Sequence, residues 1–436
     1  MKKPSNTLIS DLQARGMIHD IMHGTEAQLT RERTGVYLGV DATAASMHVG
    51  HLAALMVLKQ LQKAGHRPYI ILGGGTSLVG DPAFRTKGRD DIGIEKIRYN
   101  QECIQKQVEK LFDVGEKGDT VVLNNYDWLH QIPFLTFLRD VGKYVTVNYM
   151  IGKEAVKKRM ETGMTYTEFA YQLLQGYDFY HLYTQHDVKM QIGGADQWAN
   201  ITTGAELIRK KAGGTAFGLT LPLLLRADGT KFGKTADGEN VWLDATMTSP
   251  YHFYQFWINR SDEEAQTLLR RMTLHSLSTL EAWEAQHAQA PHQRLLQKEL
   301  GKALTTLVHG KKVYEEALHA TEFLFGQQAF DLSDGQMTEK TFLEALAGVA
   351  TVNVSSGEME KASDVLTLLT ATTQGAIFQS KREAREMIGA GAVRVNKVKV
   401  HTPDQLLEPL PRWFDGRYLL VQKGKKNYYL ICCNKG

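Results

Sequence analysis

Three observations predict an α/β fold built on a parallel sheet. Short β-branched and apolar runs at 36–40, 67–73 and 121–125 alternate with helical stretches at 50–64 and 94–113. Each run ends in small or polar residues, at 39–41, 73–81 and 124–127, the carboxyl edge where such sheets hold ligands. The third observation is the stretch 37–52, Y-L-G-V-D-A-T-A-A-S-M-H-V-G-H-L. It reads as a strand, a small-residue loop and a helix start, which aims main-chain N–H groups and a positive dipole end at an anion.

Taken in order, residues 6–33 read as one or two amphipathic helices. Ser46 is expected to cap the next helix, which turns His51, Leu52, Leu55, Leu58 and Leu61 inward at helical spacing. His48 and His51 then share one face of its first turn. Gly50 removes a side chain where a flat ligand can lie against the backbone. Residues 133–190 are mainly helical. Within them T-E-F-A-Y-Q-L-L-Q-G-Y-D, 167–178, sets Tyr171, Gln175 and Asp178 on one stripe. M-Q-I-G-G-A-D-Q-W at 190–198 is a strand, a double glycine and a helix start, and 219–225 is a further strand entering A-D-G-T and K-F-G-K-T. From 250 to about 325 the pattern is helical throughout. Residues 326–361 lose periodicity and read as a linker.

The tail is a distinct α+β module. Ser380 and Glu383 form a capping box, and the helix that follows shows Arg382 and Arg385 on one face. A-V-R-V-N-K-V-K-V alternates apolar and basic residues, and K-G-K-K joins two strands as a basic hairpin. Residues 362–436 hold 12 Lys+Arg and 6 Asp+Glu, a net of +6, and the rest of the chain carries a net of −3. A basic end on a slightly acidic body suits a polyanion such as RNA.

The bulk numbers exclude several classes. The chain has 436 residues, 43% of them hydrophobic, enough for two or three domains. The N-terminus is too polar for a signal peptide, and no apolar run reaches membrane-spanning length. Cys103, Cys432 and Cys433 give neither a disulfide framework nor a zinc pattern, and they fit a reducing cytoplasm.

Lys231, Lys234 and Thr235 lie in a glycine-bearing loop after a strand, where mobile lysines suit a polyphosphate whose charge changes during reaction. With an H-x-G-H helix start in an α/β sheet, they point to ATP attacked at its α-phosphate. H-V-G-H and K-F-G-K-T resemble the HIGH and KMSKS signatures of class I aminoacyl-tRNA synthetases. Y-L-G-V-D-A-T, G-D-P, T-E-F-A-Y-Q-L-L-Q-G-Y-D, I-G-G-A-D-Q-W-x-N-I and D-G-T-K-F-G-K-T-x-x-G resemble the bacterial tyrosyl-tRNA synthetase family, and 362–431 resembles an S4-type RNA-binding domain.

This resemblance implies a Rossmann-like catalytic domain over 1–248, with a helical insertion at about 130–190. It further implies an α-helical tRNA-side domain at 249–325, the linker at 326–361 and an S4-like domain at 362–436. The reaction implied is tyrosine activation by ATP and transfer to tRNA(Tyr), in a cytoplasmic homodimer with its interface near 133–170. Magnesium would travel with ATP, with no protein-bound metal or organic cofactor. Tyr37 and Asp178 match contacts to the substrate phenol; Asp81, Tyr171 and Gln175 match those to its amino group. Gly39, Asp41, Gly194, Asp196 and Gln197 match contacts to the adenylate, its ribose and the substrate. Gly50 and His51 match the ATP-binding turn. Thr43 and His48 match groups at the γ-phosphate, and Arg85, Arg89, Lys231, Lys234 and Thr235 the pyrophosphate clamp. Lys381, Arg382, Arg385, Arg394, Lys397 and Lys399 are the candidates for holding tRNA.

Leu38, Ala42, Ala54 and Arg85 depart from common family residues, which bears on ATP affinity. Three other readings stand beside this one: a tryptophanyl synthetase, a small-molecule adenylyltransferase, and an RNA-binding protein with an inactive synthetase body.

Overall fold

A computed structural model of the chain describes residues 7–81, 92–114, 119–224, 232–233, 240–325, 337–347, 349–407, 413–424 and 427–434. It divides into two compact units, Met1–Thr248 with Gln255–Val308, and Ser249–Tyr254 with His309–Gly436.

The first unit is organised by a six-stranded sheet. Its strands are β1 (Asp20–Ile21), β2 (Gly35–Asp41), β3 (Arg67–Gly73), β4 (Val121–Asn124), β5 (Val188–Gly194) and β6 (Phe217–Leu221), in the order β1-β6-β5-β2-β3-β4. All pairs are parallel except β1 with β6. The central strands are buried on both faces: Val36, Leu38, Val40, Ile70, Ile71, Met190 and Ile192 are all in the core. That is why they read as continuous apolar runs, the mark of a parallel sheet covered by helices. The order reverses between β2 and β5. That reversal opens the crevice beyond their carboxyl ends where doubly wound sheets bind ligands.

Strand β6 lies earlier than the predicted 219–225. It begins at Phe217 and stops before Pro222, which has no N–H to offer a ladder. The helix Val49–Lys63 forms close to its predicted place, burying Leu52, Leu55, Leu58 and Leu61. Its N-cap is His48, not Ser46. The Ser46 hydroxyl instead accepts from Gln107 and from the main-chain N–H of Asp244, bracing the loop.

The helical stretch from 250 onward does not stay in one unit, since 255–308 belongs with the sheet. Polar side chains of the sheet unit satisfy main-chain carbonyls there. Gln60 donates to Thr273 at 3.2 Å, Lys63 to Leu274 at 3.1 Å and Arg15 to His275 at 2.6 Å.

The second unit holds a five-stranded sheet of β7 (Ala350–Ser355), β8 (Val393–Val395), β9 (Val398–Lys399), β10 (Tyr418–Lys423) and β11 (Asn427–Asn434), in the order β7-β11-β10-β8-β9. Strand β7 falls inside the stretch read as a linker, as do the helices Glu339–Ala345 and Ser356–Glu360. Only Val354 of β7 is buried, so no apolar alternation announces it. It is recruited by parallel pairing with β11. Ser380 caps the helix Lys381–Gly389, but only half of the expected capping box forms. Glu383 is drawn away to Lys423, at 2.7 Å.

Candidate active site

A cavity of about 360 Å³ opens at the carboxyl ends of β2, β3, β5 and β6. The helix Tyr166–His186 forms one wall. Thr165 caps it and Glu168 reaches back to the cap's N–H, a full capping box. This helix brings Tyr171, Gln175 and Asp178 to the lining on a single stripe.

The floor is polar and buried. Tyr37 is 1% exposed, and its hydroxyl has no hydrogen-bond partner among the described residues. Burial, with the Asp178 charge behind it, holds that phenol well above its ordinary range. Asp178 is 3% exposed. Its two carboxylate oxygens accept from Trp128 Nε1 at 2.7 Å and from Asn125 Nδ2 at 2.8 Å. Burial pushes its pKa up to about 7, and Asp41 adds to the rise; the Asn125 and Trp128 hydrogen bonds oppose it. Gln191 supplies a second buried acceptor, since its Oε1 also has no partner among the described residues. A buried hydroxyl and a carboxylate on one floor are a donor and an acceptor waiting for a group that does both, such as a phenol.

Above the floor lie two polar networks. Asp41 accepts from the Thr76 hydroxyl at 2.9 Å and from the Tyr171 hydroxyl at 3.3 Å. Asp81 accepts from Gln197 at 2.8 Å. Asn200 donates to both Gln175 Oε1 at 3.0 Å and Gln197 Oε1 at 3.1 Å, fixing which way those two amides face. Gly39, Gly194 and Asp196 also line the cavity. A Cβ at Gly39 would meet nothing within 4 Å.

The rim carries the histidines. His48 Nδ1 accepts from the Gly50 N–H at 3.0 Å, and His51 Nδ1 accepts from the His48 N–H at 3.1 Å. A neutral imidazole that accepts at Nδ1 carries its proton on Nε2, so each ring is a donor there. Gly50 lines the cavity and has a further reason to be glycine. A Cβ would come 2.8 Å from the His48 ring, so glycine makes room for the cap itself. Residues 47–49 also pair with 241–243: Val49 N–H donates to Val241 O at 3.1 Å and Leu243 N–H to Met47 O at 2.8 Å. Gly233 packs on the same turn, its φ is +98°, and a Cβ there would lie 2.7 Å from Val49 Cγ2. The centre of K-F-G-K-T is thereby brought against H-V-G-H.

Thus Tyr37, Gly39, Asp41, His48, Gly50, His51, Asp81, Tyr171, Gln175, Asp178, Gly194, Asp196 and Gln197 gather on one cavity. Thr43 is half-buried in the loop and is not among the lining residues. Arg85, Arg89, Lys231, Lys234 and Thr235 lie outside the described residues. In the second unit Lys381, Arg382, Arg385, Arg394 and Lys399 are exposed. Lys397 is not presented in the same way. It is half-buried, its Nζ sits 5.1 Å over the Phe323 ring, and burial lowers its pKa. The sequence reading missed Thr76, Asn125, Trp128, Gln191 and Asn200. Gln191 carries a usable signal, a polar residue at a buried position of an apolar strand.

Comparison with known proteins follows from this geometry. Residues 29–326 match the family model of class I tRNA synthetases (W and Y), and residues 344–431 match that of the Tyrosine--tRNA ligase SYY-like C-terminal domain. The chain is 50% identical to a Tyrosine--tRNA ligase of Cytophaga hutchinsonii, over 98% of this chain and 99% of that protein. It is 45% identical to one of Bacteroides thetaiotaomicron, over 97% and 99%. Among solved structures, it is similar to a C-terminally truncated Aspergillus nidulans mitochondrial tyrosyl-tRNA synthetase. The TM-score is 0.65 at 31% identity, covering 73% of this chain and 94% of that one.

Proposed function

The chain belongs to the tyrosine–tRNA ligases of the class I tRNA synthetase family, and from that membership we propose how its cavity performs the reaction. It is an ATP-dependent enzyme that activates tyrosine and transfers it to tRNA.

The observation that carries the proposed roles is the unpartnered Tyr37 hydroxyl beside the doubly held Asp178. The substrate phenol donates to Asp178 and accepts from Tyr37. An indole has only a donor to offer, so tryptophan would leave Tyr37 unpaired; phenylalanine would leave Tyr37 unpaired and bring Asp178 no donor beyond Trp128 and Asn125. Asp81, Tyr171 and Gln175 receive the ammonium group, which can only donate. The substrate carboxylate is already a nucleophile and needs no general base. One of its oxygens attacks the α-phosphorus of ATP, the bond to the bridging oxygen breaks, and pyrophosphate leaves. His48 and His51, with Thr43, Arg85, Arg89, Lys231, Lys234 and Thr235, stabilise the charge that gathers on the departing phosphates. Gly39, Asp41, Gly194, Asp196 and Gln197 hold the adenosine side. A ribose hydroxyl at the 3′ end of tRNA(Tyr) then attacks the activated carbonyl, and AMP departs. Magnesium enters with ATP as part of that substrate.

The exposed basic side chains Lys381, Arg382, Arg385, Arg394 and Lys399 support tRNA binding by the second unit. Exposed Phe134, Leu135, Val147 and Tyr166 support a homodimer contact over 133–170. We place its work in the cytoplasm from its family alone. Among the described residues no helix is long and apolar enough to cross a membrane.

The test is ATP–pyrophosphate exchange without tRNA, run with tyrosine, phenylalanine and tryptophan in turn. Exchange with tyrosine is expected to exceed exchange with phenylalanine or tryptophan by far. Comparable exchange with tryptophan would overturn the roles given to Tyr37 and Asp178.

A further inference from the structure

We infer that His181 is a positioning residue that sets the preference for tyrosine over phenylalanine, acting through Trp128 on the carboxylate of Asp178. The inference rests on the proposed role of Asp178 as acceptor for the substrate phenol. His181 and Asp178 lie three residues apart on the helix Tyr166–His186, so they share a side of it. Asp178 lines the cavity and His181 does not.

The imidazole lies flat on the indole of Trp128, with ring centroids 4.5 Å apart and planes 14° from parallel. Trp128 in turn donates its one N–H to Asp178 Oδ1 at 2.7 Å. An indole N–H points along the ring plane, so tilting the ring moves the donor off the carboxylate. The stacked imidazole resists that tilt. Around His181 stand His186 and Tyr177, at 6.0 and 6.4 Å between ring centroids. Burial, with His186 adding to it, pushes the His181 pKa below its usual value. Burial thus favours the neutral form of the ring that stacks on the indole. Its hold on Asp178 matters only to a substrate that uses Asp178.

The experiment is pyrophosphate exchange by wild type, H181A and H181F, each with tyrosine and with phenylalanine. H181A is expected to lower kcat/KM for tyrosine about fivefold, chiefly through KM, the loss of one aromatic pair. Exchange with phenylalanine should stay within experimental scatter, so discrimination falls by the same factor. H181F, which keeps a flat ring, should restore it. Equal losses for both amino acids, no loss in H181A, or no recovery in H181F would each overturn the inference. If H181A does not fold, H181L, which fills the space without a flat ring, is read the same way. A wild-type enzyme that shows no tyrosine-dependent exchange would instead strike at the function assigned to the cavity.

Discussion

The ring of His51 accepts, through Nδ1, the main-chain N–H of His48 at 3.1 Å. His48 does the same service for Gly50. The two histidines therefore shape the helix start as well as donating from its rim. His51→Ala should cost about 1 kcal/mol of stability, the usual worth of a cap. It should also slow adenylate formation by more than that loss of stability explains. Denaturant unfolding and single-turnover adenylation would separate the two effects. A variant that is less stable but fully active would mean that the ring is only a cap.

Gly233 sits between the two lysines of its loop at a φ of +98°, against Val49. Gly233→Ala should therefore displace the loop, with a cost of roughly 1–3 kcal/mol for the strained backbone and the contact. Pyrophosphate exchange is expected to fall at least tenfold while the tyrosine affinity, measured by equilibrium dialysis, holds. If tyrosine affinity collapses with it, the loop does more than manage phosphates.

Asp178 titrates near pH 7 in the folded protein, well above the ordinary 3.8. The sign follows directly: between those values the folded state holds a proton that the unfolded chain has lost. Stability from this group therefore falls as pH rises, by roughly 1 kcal/mol between pH 6 and pH 8. Asp178→Asn removes the titration. The difference in unfolding free energy between wild type and D178N should change by that amount across the window, in favour of D178N at pH 8. Parallel pH profiles would refute it.

Asn200 holds the amide oxygens of Gln175 and Gln197 together. Asn200→Ala removes that shared donor from both amides; Gln197 keeps its bond to Asp81, so Gln175 is the freer of the two. The tyrosine KM in pyrophosphate exchange should rise about thirtyfold, consistent with the loss of two hydrogen bonds of ~1 kcal/mol each. An unchanged KM would show that these amides are held by their other partners.

Arg382 and Arg385 face solvent on the helix of the second unit, and Arg382 is tied to exposed Glu386 at 3.0 Å. Reversing both charges, R382E with R385E, should weaken tRNA charging at least tenfold and reduce its salt dependence. Exchange without tRNA should be untouched. Charging at the wild-type rate would remove this helix from the tRNA contact.

Much of this was legible in the sequence. Strand β3 lies where its apolar run placed it, because a buried parallel strand leaves a continuous signature. The Tyr171–Asp178 stripe was readable because helical spacing alone puts those residues together. The partners of Asp178 were not. Trp128 and Asn125 lie 50 and 53 residues away, and no local period encodes a contact across that distance. His181 looked like any polar residue on an amphipathic helix until Trp128 was seen beneath it. Strand β7 hid for a similar reason, since its pairing with β11, not its own pattern, makes it a strand.

That pairing has a consequence for biosynthesis. Strand β11 is the last of the described strands, yet it lies inside its sheet, between β7 and β10. The sheet cannot close until Asn427–Asn434 has left the ribosome. All six strands of the other sheet, by contrast, are complete by Leu221. The two units are thus separated in time during translation, and a ribosome that stalls between Leu221 and Asn427 would hold a complete set of catalytic strands with an unfinished second unit.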